Sequence, residues 1–404
     1  MSDMLFLAHR MPLPTGGEES ARAWHMLRHL AARHRVHLGC FYENAADASG
    51  TAKLGEICAS VMAVRRRRLA KRVKSVAAFV QGRAVSPAAY AHPRLQRWVA
   101  ETMAAHQPSE AFISGSGMAS YLEPYPFSRS TIDMIALGSE RWRRAAETGG
   151  WPKSELCWRQ ERILLAHERQ VASRFDDTLF ASAAEANLFL RRAPRAPARI
   201  VALRNGIDQD FFDPARDYPN PYRPGRRSVV FAGALDYAPN IEAAIWFATE
   251  VMTMLRHRVP TLDFWIVGAR PSRAVRALAR RDIHLMRDPV DIRPFLAHAD
   301  AVLAPLRVAR GIENTVLEGM AMGKPVVATP AALDGFDFAV GEEIFCSASA
   351  PGFASGVVAA LGEKGRAAGE RARRRIDADY GWAAALRQLD AALGEERPVV
   401  AAVS

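Results

Sequence analysis

The chain has 404 residues, of which 49% are hydrophobic and 24% charged, and this composition is typical of globular proteins and excludes a disordered or fibrous chain. Domains usually contain about 100–200 residues, so the length favours two of them. Lysine and arginine number 54 against 43 acidic residues, a formal net charge of +11, and such a surface attracts phosphates, nucleic acid or anionic lipid.

The apolar runs and the cysteines indicate in which cellular compartment the protein is expected. No run approaches the roughly 18 apolar residues that a membrane-spanning helix needs. The first residues carry neither a basic lead nor a small-residue cleavage site, so we expect a cytoplasmic protein without a secretory signal. The four cysteines lie far apart and form no CxxC pair. Neither a disulfide framework nor a zinc site is therefore predicted.

The first half of the chain alternates between predicted strands and helices. An apolar run at residues 4–8 precedes the pair Gly16-Gly17, and a helical stretch begins near Glu18. Further strands are predicted at residues 36–41, 111–114, 131–135, 178–182 and 200–203, with a charged helix over 154–174. Strands and helices in this order predict βαβ units and a parallel sheet.

A linker is predicted where this alternation breaks. It begins at the turn dipeptide Asn205-Gly206 and contains four prolines and Gly225. Strands at residues 229–233, 262–268, 301–305 and 325–329 follow it. We therefore predict an N-terminal domain over 1–204, a linker over 205–227, a second α/β domain over 228–380, and a helix over 381–395 that returns to the first domain. Ligands bind beyond the carboxyl ends of parallel strands, so a cleft between the domains is the expected site.

The strongest local motif runs from Ala301 to Thr329 and is predicted as strand, polar loop, helix and strand. Its loop places Arg307 and Arg310 beside Gly311, directly before the helix. A helix amino end attracts anions through its N–H groups and dipole, and arginines add charged donors. Phosphate is the expected ligand. The alternative is an ordinary crossover with two arginines that face solvent.

Two other features near predicted helix starts allow two interpretations each. Thr315-Val-Leu-Glu318 fits a capping box with Thr315 as the N-cap, although the Glu318 carboxylate could instead bind adjacent hydroxyls of a sugar or ribose. Gly16-Gly17 could bring the backbone close to a ligand or form a plain turn. The spacing differs from GxGxxG, so a dinucleotide fingerprint is absent.

Candidate metal ligands are few, whereas one basic segment is typical of a membrane-surface contact. The DxD strings at 208–210 and 377–379 are expected by chance, and His25 and His29 have no third ligand, so no metal is assigned. Seven of the ten residues of Arg65–Lys74 are basic, and an apolar stretch follows. This favours contact with an anionic membrane surface, with a solvated helix as the alternative. Aromatic residues are not interleaved with the basic ones, so nucleic-acid binding is not expected.

Taken together, the segments resemble the GT-B glycosyltransferases of retaining family 4 (glycosyl transferases group 1). They are more closely similar to the sugar transferases of bacterial exopolysaccharide and exosortase (PEP-CTERM) gene clusters. The resemblance covers nearly the whole chain and rests on residues 12–17, 24–30, 139–142, 161, 167–169, 175–176, 205–208, 231–233, 239–240 and, most specifically, 309–327.

The resemblance implies a fold and an activity. The fold is two Rossmann-like parallel-sheet domains facing a central cleft. The activity is a hexosyltransferase-type transfer, with retention at the anomeric carbon, in the synthesis of exopolysaccharide or other cell-surface polysaccharide. An NDP-sugar donor would bind mainly to the C-terminal domain and a glycan or polyprenyl-linked acceptor mainly to the N-terminal one. No cofactor and no essential metal is implied, and the cytoplasmic protein would be peripheral on the membrane.

The resemblance also implies roles for single residues. Glu318 matches the second glutamate of the E-x7-E motif and would bind the donor ribose. Arg310 is expected to be catalytic with it, and Arg307 or Arg310 would neutralise the diphosphate. Backbone contacts to the diphosphate would come from Gly311, Ile312, Glu313, Asn314, Thr315 and Val316. The other expected substrate-binding residues are Gly16, Gly17, Asn205, Gly233 and Arg307.

Three departures from the family pattern leave other functions open. Arg310 stands where the first glutamate of the motif would fall, and Ala136 and Gly138 replace acidic residues. Residues 234–237 also lack a basic pair that many relatives carry. One alternative is a catalytically altered GT-B-like protein that binds a nucleotide or glycan. Another is an NDP-sugar epimerase of the same shape.

Overall fold

The computed structural model describes residues 2–14, 18–43, 50–66, 89–194, 199–308 and 313–394. The chain forms two compact units. One comprises Met1–Asn205 with Leu386–Ser404, and the other comprises Gly206–Ala385. Each unit is built on one parallel β-sheet, so the predicted α/β class with two parallel sheets is confirmed.

The first unit contains a seven-stranded sheet in the order β3-β2-β1-β4-β5-β6-β7. Its strands are β1 (Asp3–Ala8), β2 (Arg35–Tyr42), β3 (Ser60–Arg65), β4 (Glu110–Ser114), β5 (Arg129–Ile135), β6 (Asp177–Phe180) and β7 (Arg199–Ala202). Its helices are α1 (Glu18–Ala31), α2 (Gly50–Gly55), α3 (Pro93–His106), α4 (Gly138–Thr148), α5 (Lys153–Ala172) and α6 (Ala183–Arg192), with a 3₁₀ turn at Ser116–Tyr121. The winding direction reverses between β1 and β4, which is the kind of switch point at which such sheets bind ligands.

Strand β1 is buried on both faces, which explains its uninterrupted apolar sequence. Phe6 packs in a cluster with Met26 of α1, and Leu7 packs on the opposite face with Leu95 of α3. A Cβ atom on Gly39 would lie 2.7 Å from a Leu7 methyl and 2.9 Å from a Leu95 methyl. The absence of a side chain at Gly39 therefore lets α3 lie directly on the sheet.

The second unit contains a six-stranded sheet in the order β10-β9-β8-β11-β12-β13. Its strands are β8 (Arg227–Ala232), β9 (Leu262–Gly268), β10 (Ile283–Arg287), β11 (Ala301–Ala304), β12 (Val326–Ala328) and β13 (Phe345–Cys346). Its helices are α7 (Ala238–Trp246), α8 (Met252–Arg258), α9 (Arg273–Arg276), α10 (Arg293–His298), α11 (Asn314–Ala321), α12 (Ala350–Ala360) and α13 (Glu363–Arg375). Short π-helical segments at Phe247–Val251 and Ile376–Tyr380 and a 3₁₀ turn at Pro330–Leu333 complete it, and α14 (Trp382–Gly394) carries the chain back to the first unit.

The structure describes only the first two residues of the segment that is predicted to contact a membrane. Across the described ranges, no helix combines the length and the apolar character that a bilayer crossing requires. Arg65 ends β3 and Arg66 follows it. The rest of the predicted membrane-contact segment, residues 67–74, lies outside the described residues.

Candidate functional site

Helix α11 begins at the carboxyl edge of the second sheet. A Cβ atom on Gly319 would lie 2.9 Å from Val302 Cβ and 3.0 Å from Val326 Cγ2, so the helix packs directly on β11 and β12. The Thr315 hydroxyl donates to the Ala232 carbonyl at 2.9 Å and fastens the first helical turn to the end of β8. The amino end of α11 is therefore fixed where parallel sheets bind ligands and where the helix dipole favours an anion.

The start of α11 corrects the predicted capping box. Glu313 is the N-cap and makes no side-chain capping bond. Thr315 lies inside the first turn, is 5% exposed, and directs its hydroxyl to the sheet. The interpretation of Thr315 as an N-cap is therefore wrong. Glu318 lies one turn further along and is half-buried.

Two glycines make a tight backbone turn at the same edge. A Cβ atom on Gly268 would lie 1.8 Å from the Gly233 carbonyl oxygen, and one on Gly233 would lie 2.7 Å from Asn240 Nδ2. The Asn240 amide also donates to the Ala234 carbonyl at 3.0 Å. The turn between β8 and α7 is therefore held close to the strand ends, next to the carbonyl that Thr315 binds.

Two arginines add positive charge near this edge. Arg307 Nη1 lies 3.7 Å from Glu242 Oε1, and both side chains are about half exposed, so the pair contributes no more than about 1 kcal/mol and its guanidinium can exchange partners. Arg270, two residues past β9, lies with Nε 3.0 Å from Asp236 Oδ2. It brings a guanidinium to the loop at 234–237, which has no basic residue of its own. Sequence reasoning missed Arg270, although its position just after a strand-ending glycine could have indicated it.

Asn205 lies in the first unit and binds a buried arginine. Its Oδ1 accepts a hydrogen bond from Arg22 Nη1 at 2.7 Å, and the same nitrogen donates to the Leu203 carbonyl at 2.8 Å. Arg22 also holds Asp133 through two bonds of 2.7 and 2.9 Å, and both side chains are fully buried. Asn205 therefore closes a buried network that joins α1, β5 and the chain that follows β7.

A histidine–carboxylate pair marks the carboxyl edge of the first sheet. His9, directly after β1, places Nδ1 2.9 Å from the Ser114 carbonyl and Nε2 3.0 Å from Glu19 Oε2. The two contacts fix the orientation of the His9 ring. The bond from His9 and the nearby charges of His9 and Arg10 lower the pKa of Glu19 to about 2. Sequence reasoning missed this pair, because its members meet only through the β1–α1 turn.

A second carboxylate lies at the start of α4 in the same unit. Glu168 of α5 accepts the Ser139 N–H at 3.2 Å. Burial raises the pKa of Glu168 to about 7, even though hydrogen bonds from Ser139 and Gly138 oppose the shift. A Cβ atom on Gly138 would lie 3.1 Å from Glu168 Oε1. Position 138 therefore has little room for a side chain, least of all for an acidic one.

The structure locates the predicted site residues in three groups. Gly233, Arg307, Glu313, Asn314, Thr315, Val316 and Glu318 belong to the carboxyl-edge loops and helix start of the second sheet. Asn205 belongs to the first unit. Gly16, Gly17, Arg310, Gly311 and Ile312 lie outside the described residues.

Comparison with known proteins assigns a family description to part of the second unit. Residues 226–363 match the family model described as Glycosyl transferases group 1, so the group 1 part of the resemblance is confirmed for these residues. A search among curated proteins finds no relative.

Solved structures of similar fold extend over nearly the whole chain. The glycosyltransferase from Rickettsia africae has a TM-score of 0.65 at 13% identity and covers 98% of this chain and 100% of its own. Anabaena HepE in complex with UDP has a TM-score of 0.63 at 14% identity, covering 97% and 99%. Sucrose-phosphate synthase from Thermosynechococcus elongatus has a TM-score of 0.63 at 16% identity, covering 96% and 100%. At these identities the likeness shows the fold, and the predicted GT-B class is confirmed.

Proposed function

We propose that this protein is a glycosyltransferase that moves a sugar from a nucleoside-diphosphate-sugar to a hydroxyl of a glycan or polyprenyl-linked acceptor. The observation that carries the proposal is the fixed start of α11. It lies within the matched domain, and Thr315 bonds at 2.9 Å to the strand end beside Gly233. HepE, a protein of similar fold, has been solved with UDP-glucose. UDP-sugars are therefore the first donors to test.

The proposed reaction needs stabilisation of a leaving diphosphate. The bond between the anomeric carbon and the diphosphate oxygen breaks, the acceptor oxygen bonds to that carbon, and the nucleoside diphosphate and the acceptor proton are released. Charge that builds on the diphosphate would be met by the amino end of α11 and by Arg307 and Arg270. Glu318 would accept hydrogen bonds from the ribose hydroxyls. We propose retention at the anomeric carbon and no metal, in keeping with the family that the sequence resembles.

We assign the acceptor to the carboxyl edge of the first sheet. His9 and Glu19 lie at the β1–β4 switch point, where their hydrogen-bonding groups can recognise a sugar hydroxyl. A role in surface polysaccharide synthesis at the inner membrane face rests on the resemblance, on the net charge of +11 and on the basic run Arg65–Lys74. Vesicles with and without anionic lipid would test the membrane contact by sedimentation.

One observation favours a second function, binding of a nucleotide or glycan without transfer. The first position of the E-x7-E motif is Arg310 rather than glutamate. A protein of this kind would bind the donor and neither transfer nor hydrolyse it. An epimerase would release a changed sugar without any acceptor.

The decisive experiment combines donor binding with transfer. A thermal-shift panel of UDP-, GDP-, ADP- and TDP-sugars identifies the donor, and transfer is then measured with a lipid-linked acceptor. Glu318→Gln removes the carboxylate that would bind the ribose, and Glu250→Gln changes an exposed glutamate before α8 as the matched control. We expect Glu318→Gln to weaken donor affinity about 10- to 100-fold, because hydrogen bonds to a charged group contribute about that much to binding. The control should keep the donor affinity and transfer rate of the parent.

Three outcomes separate the proposals. If no nucleotide-sugar stabilises the protein, or if Glu318→Gln behaves like Glu250→Gln, the donor site is placed wrongly. Donor binding with neither transfer nor hydrolysis supports the non-catalytic function. Free, altered sugar without an acceptor supports the epimerase.

A further inference from the structure

Three side chains with metal-binding chemistry meet at the amino edge of the first sheet. Asp3 begins β1, His37 is the third residue of β2, and His106 ends α3. The strand register pairs Asp3 with Arg35 and Leu5 with His37, which places the residues of interest near the strand starts. This edge is opposite to the carboxyl edge that carries His9 and Glu19.

The donor atoms of these three side chains lie close together. One ligand atom from each residue lies within 4.8 Å of those from the other two. His37 Nε2 is 2.9 Å from Asp3 Oδ1. The His37 and His106 rings stack with centroids 4.3 Å apart, so the exposed His106 ring has to turn for its nitrogen to face the same ion. His37 is buried whereas His106 is exposed, so the cluster has a protein side and a solvent side.

The surrounding backbone fixes the three residues independently of any ligand. Gly39 lets α3 lie directly on the sheet, and this brings the end of that helix to the start of β2. Gln107 ends α3 in the left-handed conformation with φ of 46°, and its N–H donates to the Met103 carbonyl. The position of His106 is therefore set by helix packing and by a local C-cap.

The chemistry of the group is that of a zinc ligand set. Zinc binds imidazole nitrogens and carboxylate oxygens, and it accepts three protein ligands with water as the fourth. His37 Nδ1 lies 2.8 Å from Ser60 Oγ. The Ser60 hydroxyl can accept from Nδ1–H, which leaves the Nε2 lone pair for a metal and orients the ring from the second shell.

We propose that Asp3, His37 and His106 bind one divalent transition-metal ion, for which zinc is the best chemical match. The ion joins the start of β1 and β2 to the end of α3, and water on the exposed side completes its coordination. Arg35 Nη1 lies 3.8 Å from Asp3 Oδ2 and is half exposed, so it can turn into solvent when the ion binds. The site holds the fold and takes no part in sugar transfer.

Metal titration of the full, tag-free chain tests the proposal without any activity assay. After treatment with a chelator and its removal, zinc is titrated in competition with a chromophoric chelator, and cobalt is added separately to record its absorption bands. His106→Ala removes the exposed ligand and leaves the buried His37–Asp3 pair. Asp3→Asn removes the anionic ligand at nearly constant shape. His257→Ala, at an exposed histidine of α8, is the control.

We expect one zinc ion per chain and the visible bands of tetrahedral cobalt in the parent. Both ligand variants should lose at least about 10-fold in zinc affinity, together with the cobalt bands and the zinc-induced rise in Tm, whereas His257→Ala should retain all three. Equal zinc affinity in the parent and His106→Ala would overturn the proposal, as would the absence of a one-to-one site in the parent. Neither result bears on donor binding, which is tested in the second unit.

Discussion

Replacing Glu168 by glutamine should change how the stability of the first unit depends on pH. Glu168 is 1% exposed, and one carboxylate oxygen accepts the Ser139 N–H at 3.2 Å. The other oxygen, Oε2, is buried and has no hydrogen-bond partner among the residues that the structure describes. Burial raises the pKa of this carboxyl from 4.5 to about 7.

The sign of the effect follows from proton binding. A carboxyl with a higher pKa in the folded than in the unfolded chain holds more protons when folded. Its stabilising contribution is therefore complete below pH 4.5 and is lost as the pH rises to about 7. This pKa change corresponds to about 3 kcal/mol in the free energy of unfolding. Glutamine has the same shape and no titratable proton, so Glu168→Gln should not show this loss.

Hydrogen exchange of peptides from α4 and α5 measures the opening free energy of this unit apart from the other. At pH 5 the variant should be the more stable by no more than about 1 kcal/mol, because most of the loss in the parent occurs above this pH. At pH 8 the variant should be the more stable by about 3 kcal/mol. Glu155→Gln, at an exposed position of α5, controls for the general loss of one charge. Parallel stability curves for Glu168→Gln and the parent between pH 5 and 8 would refute the reasoning.

Three further predictions concern the two units. Arg22→Met leaves Asp133 charged and buried, so urea unfolding should show a loss of about 3–5 kcal/mol; a loss below about 1 kcal/mol would contradict the buried network. Gly268→Ala puts a Cβ atom 1.8 Å from a backbone carbonyl oxygen and should abolish donor-induced stabilisation in a thermal-shift assay. Gly362→Ala, whose nearest neighbour would be 3.7 Å away, should preserve it, and equal results for the two variants would argue against the tight turn. Arg270→Ala should raise the donor KM several-fold and leave Tm within about a degree, because the ion pair is exposed; an unchanged KM would remove Arg270 from the donor site.

The sequence predicts the buried strands well because their apolar runs are nearly continuous. It does not predict β3, β10 or β13. The segment of β10, Ile283–Arg287, contains a histidine and an arginine and is only partly buried at a sheet edge. Strand β13 has only two residues. Such segments become strands through pairing with a neighbour, which a local pattern does not encode.

The donor side of the candidate site could be predicted because strand, loop and helix follow one another within a few tens of residues. Arg270 could not be linked to Asp236 in the same way, since strand pairing brings them together. His9 and Ser114 are 105 residues apart, and Asp3 and His106 are as distant. Contacts of this kind depend on the order of the strands in the sheet. The alternation of strands and helices predicts a parallel sheet but not that order.

The departure at position 138 has a physical explanation that bears on activity. The resemblance to family 4 implies acidic residues where Ala136 and Gly138 stand, but a Cβ atom at position 138 would lie only 3.1 Å from Glu168 Oε1. An aspartate at 138 would place a second carboxylate against a buried one, at a cost that Gly138 avoids. Glu168 of α5, which belongs to the family-like residues 167–169, already places a carboxylate at the start of α4. Glycine at position 138 is therefore explained by the packing of Glu168, and the departures at Ala136 and Arg310 are those whose effect on transfer the assay has to decide.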